Sequence, residues 1–153
     1  MMKLVPILER LEQNEEFVNN PVCKETIFMC VDFYKRVGYT PPWICYYIKD
    51  GEEIVGSGAF KGKPTNNQVE IAYGTQPEHQ RKGIATKICK LLVDLSLQTD
   101  PTVRITARTL LDNVGSCRVL EKNNFYNNGI VNDPEDGEVW EWVYKKSYLP
   151  IDE

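Results

Sequence analysis

The chain lacks closely spaced cysteines and has a single histidine, His79. Its cysteine count is five, an odd number, and no two cysteines show Cys-x-x-Cys spacing. This pattern is typical of reduced thiols inside a cell, and it argues against a disulfide framework and against a zinc site. We therefore expect a cytoplasmic protein without a metal. The cysteines are Cys23, Cys30, Cys45, Cys89 and Cys117.

Long hydrophobic runs and the common nucleotide-binding motifs are also missing. No apolar run approaches the roughly 20 residues of a membrane-spanning helix, and residues 1–6 lack the apolar core of a signal peptide. There is no Gly-x-x-x-x-Gly-Lys-Ser/Thr, and Gly56-x-Gly58 lacks the third glycine of a dinucleotide fingerprint. The net charge of -4 argues against a general nucleic-acid surface and mildly favours a cationic substrate. We expect neither a membrane nor a nucleic-acid partner.

The chain does have the length and the periodicity of one mixed domain. Its 153 residues allow a proper core, so residues 1–153 are predicted to form a single domain. Apolar residues at helical spacing, beginning with Leu4, Leu8 and Leu11, predict helices near 4–11, 27–37, 84–95 and 113–123. Alternating residues predict strands near 43–48, 54–61, 69–75, 103–106, 125–131 and 139–144. This order predicts an α+β fold.

The segment Gln80-Arg81-Lys82-Gly83-Ile84-Ala85-Thr86 joins the third predicted strand to a long amphipathic helix. Glycine and alanine leave little side chain over the start of that helix. The first backbone N–H groups of a helix have no intrahelical partner and can face an anion. Arg81 and Lys82 add positive charge at the same place. The segment therefore predicts a turn that holds phosphate.

Two motifs resemble those of one enzyme family, the GNAT N-acetyltransferases. Gln80-x-x-Gly83-x-Ala85 resembles the family's acetyl-CoA signature, Gln/Arg-x-x-Gly-x-Gly/Ala. Asn113-x-x-Ser116-x-x-Val119-Leu120-Glu121-Lys122-x-Asn124-Phe125 resembles its later segment, Asn-x-x-Ser/Ala-x-x-hydrophobic-x-Lys-x-Gly-Phe. The resemblance covers about residues 43–126 and is strongest to ribosomal-protein N-terminal acetyltransferases. It implies the GNAT acyl-CoA N-acyltransferase fold, a central mixed and mostly antiparallel sheet flanked by helices.

The resemblance also implies acetyl-CoA as co-substrate and a way to hold it. The turn after Gln80 would bind the pyrophosphate, and the strand ending near Gly74 would splay from its neighbour, so that the pantetheine arm adds to its edge. An N–H near Tyr73 would polarise the thioester carbonyl. Asn113 would reach the arm from the other side, cap its helix, or do both. The implied cofactor residues are Tyr73, Gly74, Thr75, Gln80, Arg81, Lys82, Gly83, Ile84, Ala85, Thr86 and Asn113.

The implied catalytic residues include one clear departure from the family. Glu70 stands where many members place the base that deprotonates the amine, although an exposed strand carboxylate can equally belong to a salt bridge. Leu120 stands where many members have the tyrosine that protonates the departing thiolate. Ser116 and Tyr126 are the candidates to replace it, with a helix-start hydroxyl and a core or rim aromatic as their structural alternatives. Asn124 replaces the usual glycine, and asparagine tolerates the left-handed conformation.

The sequence thus predicts transfer of acetyl from acetyl-CoA to a primary amine by direct attack. The acceptor is either a peptide N-terminus or a small amine such as a polyamine or an aminoglycoside. The alternative, favoured by Leu120, is a GNAT-like module that binds acyl-CoA without catalysis. A monomer and a homodimer are both compatible with the sequence.

Overall fold

The structure, a computed structural model, describes residues 1–80 and 83–146. In this part of the chain the six predicted strands and one further strand form a single sheet of seven strands. The strand order is β1-β2-β3-β4-β5-β7-β6. The strands are β1 Met2–Pro6, β2 Cys45–Asp50, β3 Glu53–Phe60, β4 Gln68–Thr75, β5 Arg104–Leu110, β6 Phe125–Asp133 and β7 Gly137–Tyr144. The helices are α1 Glu15–Val18, α2 Thr26–Val37, α3 Ile84–Thr99 and α4 Val114–Lys122, with 3-10 turns at Leu11–Gln13 and Pro77–His79.

The helix predicted for residues 4–11 is wrong. Met2–Pro6 is an edge strand that pairs antiparallel with β2, where Leu4 lies opposite Ile48. Pro6 explains the difference, because proline has no N–H to donate and disfavours helical geometry in the residue before it. The open edge of β2 instead offers a full ladder of hydrogen bonds to this segment. Leu11 begins a short 3-10 turn rather than ending a helix.

The other predicted elements are confirmed, with shifts of a few residues at their ends. α2 ends at Val37 before Gly38, whose φ of 93° only glycine adopts freely. β2 and β3 form the predicted hairpin. α4 is capped by Asn113, whose side chain accepts a hydrogen bond from the N–H of Ser116. Local periodicity and cap residues were therefore sufficient for these elements.

The long helix α3 packs directly on the backbone of β3. A Cβ atom added to Gly58 would lie 3.0 Å from Leu92 Cδ1 and 3.2 Å from Ile88 Cγ2, both on α3. Ile88 and Leu92 are fully buried. Gly56 and Gly58 therefore serve close packing of a helix on a sheet, which agrees with the absence of a dinucleotide fingerprint. On the opposite sheet face, Tyr47 makes hydrogen bonds to Thr26 and to the carbonyl of Cys23, around the start of α2.

The pair β4–β5 positions the candidate site. It is the one parallel pair of the described sheet, and it joins only residues 68–71 to residues 104–107. Beyond that point β4 stays with β3, where Thr75 lies opposite Gly56, and β5 stays with β7, where Leu110 lies opposite Val139. A fork therefore opens between the two strands, as the resemblance implied. α3 connects them and begins close to the open end of the fork.

Candidate active site

A cleft of about 740 Å³ lies at the fork, between the end of β4, the start of α3 and the length of α4. It brings together most of the residues predicted to bind the cofactor, although they come from three separate elements. Ser116, one of the predicted catalytic residues, lines the same cleft. The predicted cofactor residues in its lining are Tyr73, Gly74, Thr75, Gln80, Gly83, Ala85, Thr86 and Asn113.

The start of α3 presents free backbone donors to this cleft. Gly83 adopts the left-handed conformation, with φ 75° and ψ 7°, and among the described residues no side chain caps the helix. The N–H groups of Ile84, Ala85 and Thr86 come before the N–H of Lys87, which makes the first intrahelical bond, to Gly83 O, so they remain available to an anion. Ile84 contributes backbone alone, because its side chain packs against the core. The predicted residues Arg81 and Lys82 lie outside the described residues.

α4 supplies positive charge on the other side of the cleft. Arg118 and Lys122 both line it. They lie four positions apart, so they point to one face of the helix. The sequence motifs do not assign these two residues to the site, although their spacing of four positions within the second motif indicates that they share one face of the helix. Two cations facing the uncapped start of α3 favour a ligand with several negative charges.

The end of β4 carries a buried hydroxyl without a partner. Thr75 Oγ1 is inaccessible to solvent and makes no hydrogen bond within residues 1–80 and 83–146. A buried polar group without a hydrogen-bond partner lowers the stability of the fold by about 1–3 kcal/mol. Because Thr75 lines the cleft, a bound molecule with a polar group can satisfy it. The residues present therefore fit a phosphate-bearing ligand with an amide-containing arm.

The thiols and the phenol near the cleft are structural groups. Burial raises the pKa of Cys89 to about 12, and Cys89 has no exposed surface. Burial also raises the pKa of Tyr73, so its hydroxyl stays neutral. Cys117 is half-buried and contacts Thr109 Oγ1 at 3.6 Å. Cys89 and Cys117 are therefore small residues that pack within helices α3 and α4, and all five cysteines are free, as their spacing predicts.

Glu70 occupies a smaller cavity of about 180 Å³ that adjoins the cleft, since Asn113 and Ser116 line both. Its carboxylate forms an ion pair with Lys61, with 3.0 Å between Glu70 Oε2 and Lys61 Nζ. Arg108 Nε lies 3.9 Å from the other carboxylate oxygen. The Glu70 side chain is 21% exposed, so solvent or a ligand can still reach it. Glu70 thus lies beside the cleft and also in a salt bridge, the two roles that the sequence left open.

Arg108 connects Glu70 on β4 to carboxylates on β6 and β7. Its Nη1 donates a hydrogen bond to Asp133 Oδ2 at 3.1 Å, and its Nη2 lies 3.9 Å from Glu141 Oε2. Hydrogen bonds from the N–H of Glu135 and from its neighbour, with a contribution from Arg108, lower the pKa of Asp133. Three strands therefore contribute carboxylates around one guanidinium, at the point where β5 separates from β4.

The two candidate proton donors lie in different places. Ser116 lines both cavities and is half-buried. Tyr126 is 45% exposed on β6 and contributes to neither cavity. Leu120 is fully buried in the core, which is the ordinary role of an apolar residue on the inner face of α4. Asn124 adopts φ 69°, the left-handed conformation expected where the family has glycine.

Two further findings concern metals and membranes. Among residues 1–80 and 83–146, no group of three or more His, Cys, Asp or Glu side chains is placed to hold a metal ion. In the same part of the chain, no helix is long and apolar enough to cross a membrane.

Comparison with known sequences identifies the family. A model described as an acetyltransferase (GNAT) domain matches residues 4–126. The uncharacterized N-acetyltransferase YjdG of Bacillus subtilis (strain 168) is 38% identical over 97 residues, which is 63% of this chain and 55% of that protein. The probable N-acetyltransferase YjcK of the same organism is 40% identical over 60 residues, 39% of this chain and 33% of that protein. The chain thus spans about half the length or less of these two curated relatives.

Solved structures share the fold over nearly the whole chain. A chimera of the spermidine N-acetyltransferase SpeG from Vibrio cholerae with hSSAT has a TM-score of 0.68 at 17% identity, covering 94% of both chains. RimL, a ribosomal L7/L12 α-N-protein acetyltransferase, has a TM-score of 0.66 at 17% identity, covering 93% of this chain and 91% of its own. The aminoglycoside acetyltransferase AAC(6')-Ib with coenzyme A has a TM-score of 0.65 at 20% identity, covering 95% and 94%. The chain belongs to the GNAT acetyltransferase family.

Proposed function

We propose that this chain is an N-acetyltransferase that transfers the acetyl group of acetyl-CoA to a primary amine by direct attack, and that residues 1–153 act as one domain. The observation that carries the proposal is the single cleft at the β4–β5 fork, in which predicted cofactor residues from β4, α3 and α4 meet. Membership of the GNAT family supports the same conclusion. Solved relatives of the fold that contain CoA or acetyl-CoA support the choice of co-substrate.

The start of α3 is the proposed pyrophosphate site. The N–H groups of Ile84, Ala85 and Thr86 would donate to phosphate oxygens, and the helix dipole favours negative charge there. Arg118 and Lys122 would approach the phosphates from α4. Arg81 and Lys82 are proposed to add charge to the same turn. This arrangement uses backbone donors for position and side-chain cations for affinity.

The free edge of β4 is the proposed site of the pantetheine arm. Residues 72–75 have lost β5 as a neighbour, so their outward backbone groups can pair with the amides of the arm as a further strand would. An N–H near Tyr73 would then polarise the thioester carbonyl. Thr75 Oγ1, buried and unpartnered within the described residues, would gain a partner. Asn113 caps α4 through Oδ1, which leaves its amide nitrogen for the arm.

Glu70 is the proposed base. The acceptor ammonium would give a proton to the Glu70 carboxylate, directly or through one water, and the neutral amine would attack the thioester carbon. The new C–N bond would form, the C–S bond would break, and the CoA thiolate would leave. The attacking nitrogen then loses its second proton, and this proton is proposed to pass to the thiolate through Ser116, which lines both cavities, or through water.

The second candidate function is an acyl-CoA-binding module without catalysis. Two observations favour it. Leu120 is a buried core residue with no proton to give. Glu70 already has a cationic partner, Lys61, at 3.0 Å. Neither observation concerns the proposed cofactor turn, because Leu120 and Glu70 are both absent from the lining of the cleft.

The solved structures that share the fold suggest the chemical class of the acceptor. The solved neighbours are named for spermidine, for the N-terminus of ribosomal L7/L12 and for aminoglycosides. All three present an amine that is largely protonated near neutral pH. A carboxylate base and a net charge of -4 suit such cationic acceptors. A peptide N-terminus and a small amine both remain within the proposal.

The decisive experiment measures CoA thiol release from acetyl-CoA with three acceptor pools: spermidine and related polyamines, aminoglycosides, and peptides with free N-termini. The proposal expects release with at least one pool and none with the same peptides blocked by N-terminal acetylation. CoA binding in calorimetry without release from any pool would favour the binding module. Absence of CoA binding by the folded protein would contradict both functions.

A further inference from the structure

One side-chain amide connects the two helices that border the cleft. α4 ends at Lys122, and the next residue is Asn123, which is half-buried. Its Nδ2 donates one hydrogen bond to the carbonyl of Val119, at 2.9 Å, and a second to the carbonyl of Thr86, at 3.1 Å. The first bond lies within the last turn of α4. The second crosses to the first turn of α3.

The two acceptors of Asn123 belong to opposite sides of the cleft. Thr86 and Val119 both line it, whereas Asn123 itself does not. Thr86 is also one of the residues whose N–H groups face the proposed pyrophosphate site. The first turn of a helix lacks the hydrogen bonds that hold its middle, so its position depends on outside contacts. Within the turn, the N–H of Lys87 reaches the carbonyl of Gly83 at 3.3 Å, near the long end of the range.

We propose that Asn123 is a positioning residue for the CoA turn. By holding the first turn of α3 at a fixed distance from the last turn of α4, it aligns the N–H groups of α3 with the cations of α4. It contributes to CoA affinity without touching CoA. This inference rests on the proposed function, because it concerns the phosphate end of the same cleft.

The next residue, Asn124, is a matched control on the same backbone. Asn124 Nδ2 donates at 2.8 Å to the carbonyl of Lys145, just after the end of β7, and not to α3. Its left-handed φ of 69° is compatible with glycine. Asn124→Gly therefore removes a side-chain hydrogen bond of similar length from the end of α4 and leaves the connection to α3 in place.

The test compares Asn123→Ala and Asn124→Gly in full-length protein, with CoA affinity measured by calorimetry. Asn123→Ala removes both hydrogen bonds, and loss of the one that crosses to α3 predicts a threefold to tenfold weaker CoA affinity; Asn124→Gly should leave the affinity unchanged. In acetyl transfer, the KM for acetyl-CoA should rise with an unchanged kcat. Hydrogen exchange of residues 84–87 without ligand should become faster in Asn123→Ala alone.

A second variant covers the case in which Asn123→Ala does not fold. Asn123→Leu keeps roughly the size of the side chain, removes both donors and adds no charge near the proposed phosphate site, so we expect a similar loss. Equal losses in the Asn123 and Asn124 variants, or an unchanged affinity in the Asn123 variants, would overturn the inference, whereas CoA binding and thiol release by the unmodified chain would still support the proposed function. Failure of the unmodified chain to bind CoA would overturn both.

Discussion

Glu70 has two kinds of neighbour, open space beside the fork and two cationic side chains. It shares its face of β4 with Ala72 and Gly74, small residues that leave room beside the fork. Lys61 and Arg108 keep positive charge close to it. The same cations explain a purely structural carboxylate equally well, so a substitution at Glu70 has to separate the two roles.

Glu70→Gln keeps the size of the side chain and removes the proton acceptor. We expect turnover to fall by about two orders of magnitude, the low end of general-base contributions. CoA affinity in calorimetry should change little, because the proposed cofactor turn lies elsewhere. Glu141→Gln is the control, since Glu141 faces the same Arg108 from β7. Equal losses of turnover in the two variants would show that Glu70 is structural.

Ser116 and Tyr126 make different predictions because they lie in different places. Ser116→Ala removes a hydroxyl from the lining of the cleft, and we expect a modest decrease of turnover at saturating acetyl-CoA. The decrease is modest because a thiolate needs little help near neutral pH. Tyr126→Phe removes a hydroxyl from an exposed position on β6 and should leave turnover unchanged. A larger effect at Tyr126 than at Ser116 would reverse the assignment. No effect at either would withdraw both residues and leave water or another group as the proton donor.

At the scale of elements, the start of α3 depends on one backbone conformation. Gly83 has φ 75°, and a Cβ added there would meet nothing within 4 Å among the described residues. The need for glycine is therefore conformational, and a β-branched residue with positive φ is strongly disfavoured. A bulkier residue would move the first turn of the helix and its N–H groups.

Gly83→Val should accordingly weaken CoA binding at least about tenfold, because left-handed geometry costs roughly 1–2 kcal/mol for ordinary residues. The valine side chain would also narrow the space through which the phosphates approach the start of α3. Gly83→Asn is the matched control, because asparagine tolerates the left-handed region and should retain most of the affinity. Calorimetry with CoA, on variants shown to be folded by circular dichroism, makes the measurement. Unchanged affinity in Gly83→Val would remove the start of α3 from the cofactor site.

The elements also show where sequence reasoning succeeds and where it fails. α3 and the β2–β3 hairpin could be predicted because periodicity and turn residues are local properties. β1 could not be predicted, because Leu4, Leu8 and Leu11 fit a helix. The strand with which β1 pairs, β2, is more than forty residues away in the chain, since Leu4 lies opposite Ile48. Edge-strand pairing is decided by tertiary contacts, which the spacing of three leucines does not contain.

At the scale of the molecule, one crossover connection brings the β4 and α3 walls of the cleft together. β4, α3 and β5 form a strand–helix–strand unit, the connection that a parallel pair requires. This unit places the end of a strand beside the start of a helix, so the meeting of these residues in one cleft could be predicted from two motifs and their order. The contacts of Arg108 with Glu70, Asp133 and Glu141 could not, because they join β5 to three other strands.

The ion pair between Lys61 and Glu70 changes what acceptor binding means under the proposed function. The incoming ammonium does not enter an empty anionic pocket; it exchanges with an ammonium that is tethered to β3 and cannot diffuse away. A tethered competitor acts at a high and constant effective concentration. Because one cation replaces another, the net charge beside Glu70 is conserved through the exchange. Acceptor selectivity then depends on the difference in free energy between two ion pairs, that of Glu70 with the acceptor ammonium and that of Glu70 with Lys61. Every acceptor has to compete with the same Lys61 side chain.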